Sequence, residues 1–344
     1  MRGRLQIDLN ALASNYRAYE KLSCGRSIGA VVKADAYGLG AERVCEVLQG
    51  EGCGVFFVAI AEEGEVLRRL FPDAQILVFE GAVPGSMEML LEANLIPVIN
   101  SYAQFKRWKE VSSRPVALHV DTGIGRLGFG TDIVRRDFDG IDIKLLMTHL
   151  ACADEPDHPM NRLQLDEFTA VSDGFPGIAT SIGNSAGILL GEHYVGDLGR
   201  PGIGLYGNVH LTDSDIVLHE VATLQGIILQ VRDYGSGVSL GYGSSYTTDK
   251  PMKVATVGIG YADGVPRSLS NKGVMKVDGI RCPIVGSVSM DLTLIDVTGV
   301  EVSPGDWAEL FGKSIHLVEV AKQANMISYE ILTGVGQRIE RVYL

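Results

Sequence analysis

The feature that most constrains this chain is a regular alternation of short apolar runs with segments of helical periodicity, over roughly its first 200 residues. The gaps between the runs carry apolar residues at helical spacing, and eight such β units with intervening helices predict an α/β fold, a (β/α)8 TIM-like barrel. The apolar runs are 27–33, 54–60, 74–80, 95–100, 115–121, 143–149, 179–184 and 194–198. The helical segments between them are 41–49, 61–70, 86–93, 102–110 and 161–172.

The sequence pattern changes near residue 217, where β-like segments separated by glycines replace the alternation of strands and helices. Helical patterning returns only at 315–324. We therefore expect a barrel over residues 8–216 and a mainly β C-terminal domain over 217–344, to which residues 1–7 add a strand. The expected β segments are 220–231, 252–259, 273–277, 280–285 and 291–297. Near the start, residues 10–21 read as a helix with Asn10 as its N-cap.

Charge and cysteine content narrow the functional classes. The formal charge is −12, from 30 basic and 42 acidic side chains, and no basic block suggests a nucleic-acid partner. Five scattered cysteines without C-x-x-C spacing argue against a disulfide framework or structural zinc. The N-terminus does not resemble a signal peptide, and no segment approaches the ~20 apolar residues needed to cross a bilayer. We expect a cytoplasmic protein without a membrane partner.

The first apolar run ends at Lys33, and Tyr37, Gly38 and Gly40 follow. The carboxyl ends of barrel strands are where active sites form, and an amine with a lowered pKa forms a Schiff base with an aldehyde. Pyridoxal 5'-phosphate (PLP) is the candidate aldehyde. A lysine at a strand end is more often a solvated terminus, so this interpretation depends on the other strand ends.

Two of those ends carry further polar groups. The fifth run leads into a glycine-rich loop containing Arg126, whose planar guanidinium suits a carboxylate or phenolate. The sixth run ends at His149, and no second ligand at metal spacing accompanies it, so no metal is expected.

The loops after the last two barrel strands commonly bind phosphate. Here they contain Ser185, Gly202 and Ile203, with Tyr37 as a further candidate. Arg200 lies in the same segment, and from the sequence alone the default role of an arginine there is that of a phosphate ligand.

The segment Val31-Val32-Lys33-Ala34-Asp35-Ala36-Tyr37-Gly38 resembles the cofactor-lysine signature of bacterial alanine racemases, which are PLP enzymes of the β/α-barrel, fold-type III class. Family-like motifs continue in order, including those around Tyr242, Tyr261 and Met290. The resemblance implies interconversion of L-alanine and D-alanine, with D-alanine supplied for peptidoglycan. It also implies a homodimer with shared active sites.

The resemblance also implies roles for single residues. Lys33 would bind the cofactor and act on the D face of the substrate, while Tyr242 of the partner subunit would act on the L face. Met290 would bind the substrate carboxylate through its backbone N–H together with Arg126, and Tyr261 would restrict the entrance. Arg200 would face the pyridine nitrogen, oriented by His149. The implied cofactor-binding set is Lys33, Tyr37, Arg126, His149, Asn184, Ser185, Arg200, Gly202, Ile203 and Tyr206.

Three positions depart from the family pattern. His119 stands where some members have a carbamylated lysine that braces the arginine corresponding to Arg126. Ser287 replaces an arginine, and Gln337 replaces a tyrosine that contacts phosphate in certain members. These changes affect the bracing of Arg126, the entrance and the phosphate contacts.

Two other functions compete with racemisation. A barrel-type PLP decarboxylase of basic amino acids also uses a lysine at a barrel strand, but it would need an acid in place of Arg200. A non-catalytic PLP-binding protein would be a barrel alone, whereas this chain spends more than a hundred residues on a domain that carries Tyr242 and Met290.

Overall fold

The computed structural model describes residues 2–209 and 217–344, and the chain forms two compact units. The barrel unit comprises Leu12–Ala36 and Gly40–Leu218. The β unit comprises Met1–Ala11, Tyr37–Leu39 and His219–Leu344. Residue 216, where the sequence predicts the barrel to end, lies outside the described residues.

The barrel unit contains the predicted parallel β/α barrel. Seven strands form one parallel sheet, and Leu198–Gly199 pairs in parallel with Ser27–Ile28, which leads into the first strand of that sheet. On the other side, Asp197 N–H donates to the Thr180 carbonyl at 2.8 Å, so the last strand also joins the seventh. The sheet strands are Ala30–Val31, Val55–Val58, Gln75–Val78, Ile96–Ile99, Val116–His119, Ile143–Met147 and Ala179–Ser181.

Helices follow the strands as the periodicity predicts. The α-helices are Leu9–Leu22, Ala41–Gly50, Ala61–Leu70, Met87–Glu92, Tyr102–Val111, Pro159–Asp173 and Ser185–Leu189, and Lys33–Gly38 forms a short left-handed helical turn. Short 3-10 turns are Arg135–Phe138, Glu192–Tyr194 and Ile203–Tyr206.

The expected N-cap of the first helix is wrong. This helix begins at Leu9, and the Asp8 carboxylate accepts the N–H of Ala11 at 2.9 Å. Asn10 lies in the first turn instead. Asp8 and Asn10 are both good capping residues, and the strand that precedes the helix ends at Ile7, which leaves Asp8 at the boundary.

Burial on both faces explains why the barrel strands read as continuous apolar runs. Phe56, Phe57 and Ile76 are fully buried in adjacent strands. From the first helix, buried Tyr19 reaches across and donates to the carbonyl of Ser185 at 3.2 Å. This contact places the first helix against the loop that follows the seventh strand.

The β unit is built on the long strand Ala222–Tyr234. Gly3–Ile7 pairs antiparallel with it and in parallel with Glu340–Tyr343. The other strands are Ser239–Leu240, Tyr246–Thr247, Met252–Val257, Val274–Val277, Ile280–Pro283, Thr293–Asp296 and Trp307–Phe311. The helices are Leu317–Ala324 and Ser328–Thr333, and 3-10 turns occur at Tyr242–Ser244, Tyr261–Asp263 and Arg267–Leu269. Elements of this unit that the sequence did not predict are the helix Ser328–Thr333 and the strands Ser239–Leu240, Tyr246–Thr247, Trp307–Phe311 and Glu340–Tyr343.

All five cysteines are free thiols. Among the helices that the structure describes, none combines the length and apolar character required to cross a membrane.

Gly204 tests the packing between the first helix and the barrel. A Cβ at this position would lie 1.8 Å from the Tyr19 hydroxyl, whose ring is fully buried. Gly204→Ala should therefore lower the free energy of unfolding by about 1–3 kcal/mol, as measured by urea denaturation. In the control Gly50→Ala, where a Cβ meets nothing within 4 Å, stability should stay the same or rise slightly. Equal effects of both substitutions would contradict this packing.

Candidate active site

Lys33 lies directly after the first barrel strand, where it begins a short helical turn. Its side chain is half-buried, and its Nζ is 5.9 Å from the centre of the Phe79 ring. Burial lowers the pKa of Lys33, the positive charge of Arg126 lowers it further, and Glu63 opposes the shift. The amine is therefore more easily deprotonated, and more nucleophilic, than that of an ordinary surface lysine.

The turn that follows Lys33 is left-handed. Its residues have φ angles of 53°, 54°, 51° and 58° at Ala34, Asp35, Ala36 and Tyr37. Left-handed backbone costs about 1–2 kcal/mol per non-glycine residue, so the surroundings must hold this turn in place. The Glu63 carboxylate does so, because it accepts the N–H of Ala34 at 2.6 Å and that of Ala59 at 2.8 Å.

Arg126 is carried by a loop closed by a bridge between Val120 and Phe129. Within the loop, the Asp121 carboxylate accepts three successive backbone N–H groups, at 3.0, 2.9 and 3.1 Å. Burial acts to raise the pKa of Asp121, but these donors outweigh it and the net shift is downward. The carboxylate thus stays ionised and fixes the loop, while the Arg126 side chain is exposed.

His119, at the end of the fifth strand, is a neutral imidazole that donates through Nδ1. Its Nδ1 is 2.9 Å from the Asn100 side-chain oxygen. Asn100 uses its amide nitrogen to donate to the carbonyls of Phe79 and Val98, so its oxygen must accept and Nδ1 carries the ring proton. Nε2 then bears a lone pair, is buried, and has no hydrogen-bond partner among the described residues. Burial and the charge of Arg200 lower the pKa of His119 to about 4.

Arg200 is only 2% exposed and lies between the ends of the last three strands. It donates to the Ser181 hydroxyl, to the Thr148 carbonyl at 2.6 Å and to the Ile182 carbonyl at 3.3 Å. Burial lowers its pKa to about 9, so it remains a cation at pH 7. No carboxylate appears among its partners in the described residues.

His149 shows that the predicted residues surround one site. Burial lowers its pKa to about 3, and the charges that add to the shift are, in order of size, those of Arg200, Arg126, His119 and Lys33. Residues from the first, fifth, sixth and eighth strand ends therefore lie close enough to act on one imidazole. His149 stays neutral at pH 7.

The loops after the seventh and eighth strands meet at Ser185. Its hydroxyl oxygen accepts the N–H of Gly202 at 2.8 Å and that of Gly204 at 3.0 Å. Asn184 caps the helix that begins at Ser185, since its side chain accepts the N–H of Gly187 at 2.8 Å. Because the Ser185 oxygen is the acceptor in both bonds, its hydroxyl proton stays available to an anion next to Ile203.

Tyr206 and Tyr37 are both buried. The Tyr206 hydroxyl donates to the Val31 carbonyl at 3.3 Å and so supports the strand that leads to Lys33. In the β unit, the Tyr37 ring centre is 5.9 Å from that of Tyr329. Burial raises the pKa of Tyr37, so its phenol stays protonated.

In the β unit, three predicted site residues have exposed side chains: Tyr242 is 76%, Met290 52% and Tyr261 44% exposed. The turns that carry Tyr261 and Met290 are joined, because Tyr261 N–H donates to the Ser289 carbonyl and Ala262 N–H to that of Met290, both at 3.0 Å.

Arg338 reinforces this junction. It pairs with Asp263 at 3.0 Å and with Asp291 at 2.8 Å, one carboxylate from each turn. Gln337, immediately before it, is exposed in the same unit.

Sequence reasoning missed Glu63, Phe79 and Asn100. Each of them lies far along the chain from the residue that it contacts. Glu63 accepts the N–H of Ala34, next to Lys33, while Phe79 lies beside Lys33 and Asn100 bonds to His119. Glu63 lies in the first turn of a helix, and Asn100 directly follows the fourth strand of the sheet. The position of Asn100 at a strand end was the available signal for it.

Comparison with known proteins gives consistent matches over the whole chain. A family model described as "Alanine racemase, N-terminal domain" matches residues 7–209, and "Alanine racemase, C-terminal domain" matches 221–343. A catabolic alanine racemase of Rhizobium johnstonii is 42% identical, over 99% of this chain and 94% of that protein. A biosynthetic alanine racemase of Agrobacterium fabrum is 43% identical, over 99% and 93%. The crystal structure of the Bartonella henselae alanine racemase with covalently bound pyridoxal phosphate has a TM-score of 0.93 and 35% identity, with full coverage of both chains.

The two neutral histidines predict a loss of stability in mild acid. The unfolded chain binds protons at these histidines near pH 6.5, whereas folded His119 and His149 do so only near 4 and 3. Their contribution is therefore complete above pH 6.5 and lost as pH falls below it. At pH 5 each histidine should cost about 2 kcal/mol.

Urea denaturation at pH 7 and pH 5, at fixed protein concentration, measures this loss. His149→Gln should reduce the difference between the two pH values by about 2 kcal/mol, whereas the exposed control His193→Gln should keep it. If His149→Gln loses as much stability as the parent, His149 is not neutral in the folded protein.

Proposed function

The chain belongs to the alanine racemase family, and we propose that Lys33 and Tyr242 carry out the two proton transfers of its reaction. The enzyme interconverts L-alanine and D-alanine and depends on PLP. The single observation that best supports the residue assignment is the grouping of Lys33, Arg126, His149 and Arg200 around one end of the barrel. The roles proposed for these residues are those that the family resemblance implies, and the geometry of the site is compatible with them.

The described residues fit PLP. Lys33 offers an amine with a lowered pKa for the aldehyde. The Ser185 hydroxyl proton, with the backbone at Ile203, would hold the phosphate, and the Gly202 N–H keeps the Ser185 oxygen in place. When bound, PLP stabilises the electron pair left on the α carbon after its proton is removed. The remaining chemistry belongs to the protein.

Arg200 selects the course of the reaction. A carboxylate beside the pyridine nitrogen would keep that nitrogen protonated, whereas a buried cation disfavours its protonation. The partners of Arg200 are a hydroxyl and two carbonyls, so its positive charge is not neutralised. Beside that nitrogen, Arg200 would thus favour immediate return of a proton to the α carbon over side reactions.

Racemisation at one carbon needs an acid or base on each of its two faces. In this proposal Lys33 removes or returns the proton on the D face, and the Tyr242 phenol does so on the L face. Arg126 and the backbone N–H of Met290 bind the substrate carboxylate. Tyr261 restricts the entrance to small side chains such as that of alanine.

Tyr242 acts, in this proposal, in the active site of a partner subunit. Its ring is 76% exposed, and Met290 and Tyr261 are also exposed in the same unit. Large exposed apolar groups that lie together mark an interaction surface. A homodimer in which each β unit completes the partner's barrel site would cover all three side chains.

The alternatives have less support. A decarboxylase of the same fold would need an acid where Arg200 lies, and the relatives reported above carry the name alanine racemase. A non-catalytic PLP-binding protein leaves the exposed Tyr242 without a role. One of those relatives is named catabolic and the other biosynthetic, so the supply of D-alanine for peptidoglycan stays a prediction from the sequence. A cytoplasmic location also stays a prediction.

Hydrogen exchange in deuterated water tests the two roles. Lys33→Ala should abolish both racemisation and exchange. Tyr242→Phe should retain the cofactor and abolish racemisation, while D-alanine still exchanges its α hydrogen with retention because Lys33 remains. L-alanine should keep its hydrogen. Proton NMR and chiral chromatography measure the two quantities, and normal turnover by Tyr242→Phe would exclude the two-base assignment.

Mixing these two variants tests the shared site. Random exchange of subunits gives hybrid dimers in which one site lacks both groups and the other has both, so about a quarter of the parent activity should return. Each variant mixed with itself provides the control. If hybrid dimers form but activity stays absent, Lys33 and Tyr242 act within one subunit.

A further inference from the structure

We propose that Asn271 and Ser287 are positioning residues that fix the turn carrying Tyr242 and thereby the location of its phenol. The inference rests on the proposed function of Tyr242. It concerns two side chains whose hydrogen bonds go to the Tyr242 turn and to the segment beside it, so both act through the backbone of the turn.

The location of the phenol depends on that backbone. The Tyr242 ring is 76% exposed, so packing within its own chain does little to hold it. Gly241, Gly243, Ser244 and Ser245 are exposed as well. A shift of the backbone would therefore move the phenol directly.

The turn does not hold itself. The φ angles of Gly241, Gly243 and Ser244 are 73°, 67° and 47°, and only the two glycines adopt such values without cost. Within the turn, the Ser244 N–H donates to the Gly241 carbonyl at 3.3 Å, a long hydrogen bond. The two strands that flank the turn pair with each other, Ser239 with Thr247 and Leu240 with Tyr246, and this pairing holds the ends of the turn. The residues between them depend on contacts from elsewhere in the chain.

Ser287 supplies part of this support. Its hydroxyl donates to the Tyr242 carbonyl at 3.3 Å, and its oxygen lies 2.9 Å from the Ser245 hydroxyl. A serine has one hydroxyl proton, so Ser245 must be the donor in the second bond. Ser287 therefore links both sides of the turn.

Asn271 joins the turn to the segment that bears Ser287. Its side-chain nitrogen donates to the Ser245 carbonyl at 3.0 Å, and its side-chain oxygen accepts the Gly286 N–H at 2.6 Å. With both ends of the amide engaged, Asn271 sets the distance between the two segments. Its own φ is 57°, a value that asparagine tolerates better than most residues.

Loss of either side chain should misplace Tyr242 and leave Lys33 unaffected. Racemisation needs both groups, whereas exchange of the α hydrogen of D-alanine with retention needs only Lys33. The ratio of exchange to racemisation therefore reports the position of Tyr242. A general loss of folded enzyme would lower both rates in proportion.

The experiment uses the PLP-loaded enzyme in deuterated water with D-alanine. Ser287→Ala removes both hydroxyl contacts, and Asn271→Gly removes the amide while fitting the positive φ. The controls come from the same unit: Ser236→Ala removes another hydroxyl–carbonyl bond, and Asn325→Gly removes another exposed asparagine with a φ of 54°. Analytical ultracentrifugation verifies that each variant has the parent's oligomeric state.

Ser287→Ala and Asn271→Gly should each lower the rate of racemisation about tenfold while exchange changes less than about twofold, and Ser287→Thr should restore the parent ratio. Both control variants should keep that ratio. An unchanged ratio in both test variants, with a raised ratio in Tyr242→Phe, would overturn the inference and leave the proposed function standing. An unchanged ratio in Tyr242→Phe would overturn the proposed function itself.

Discussion

The candidate site depends on one buried charge, the guanidinium of Arg200. It is held by groups from the ends of the sixth and seventh strands, Thr148, Ser181 and Ile182, and none of them is an acid. An arginine stays protonated in such a place because its ordinary pKa is high, so that even a value lowered to about 9 leaves it charged at pH 7. The barrel thus maintains an unneutralised cation where its strands converge.

The neighbours of Arg200 are adjusted to that cation. His119 and His149 are neutral, since burial and the charge of Arg200 lower their pKa values to about 4 and 3. The charge of Arg126 in turn helps to lower the pKa of Lys33. A site with several basic side chains therefore limits its own positive charge by keeping its histidines neutral and by lowering the pKa of Lys33, while Arg200 stays charged.

Local sequence patterns predicted the barrel because each strand and helix carries its own periodicity. The helix 61–70 has the bounds expected from its spacing, and the strand 143–149 is shortened only to Ile143–Met147. The patterns could not predict the left-handed turn at 34–37, because four unfavourable residues are stabilised by Glu63 from another strand–helix unit. The capping of the first helix by Asp8 was missed for a smaller reason, since two capping residues lie within one turn of each other. The sequence identified site residues that belong to a short continuous motif, such as Lys33. It missed Asn100, because the hydrogen bond of Asn100 to His119 joins two different strands and is visible only in the folded chain.

The proposed two-base reaction accounts for the position of Tyr242 in an exposed turn of the other unit. The carboxyl ends of barrel strands approach a bound ligand from one side, and Lys33, Arg126 and Arg200 all lie at such ends. A second proton-transfer group that acts on the opposite face of the same carbon must come from outside the barrel mouth. A tyrosine that serves a partner cannot be packed into its own subunit, so its position has to be set by backbone contacts such as those of Ser287 and Asn271. In the proposed two-base reaction, the exposure of the ring and the hydrogen bonds of the turn are two consequences of one requirement, access to both faces of the α carbon.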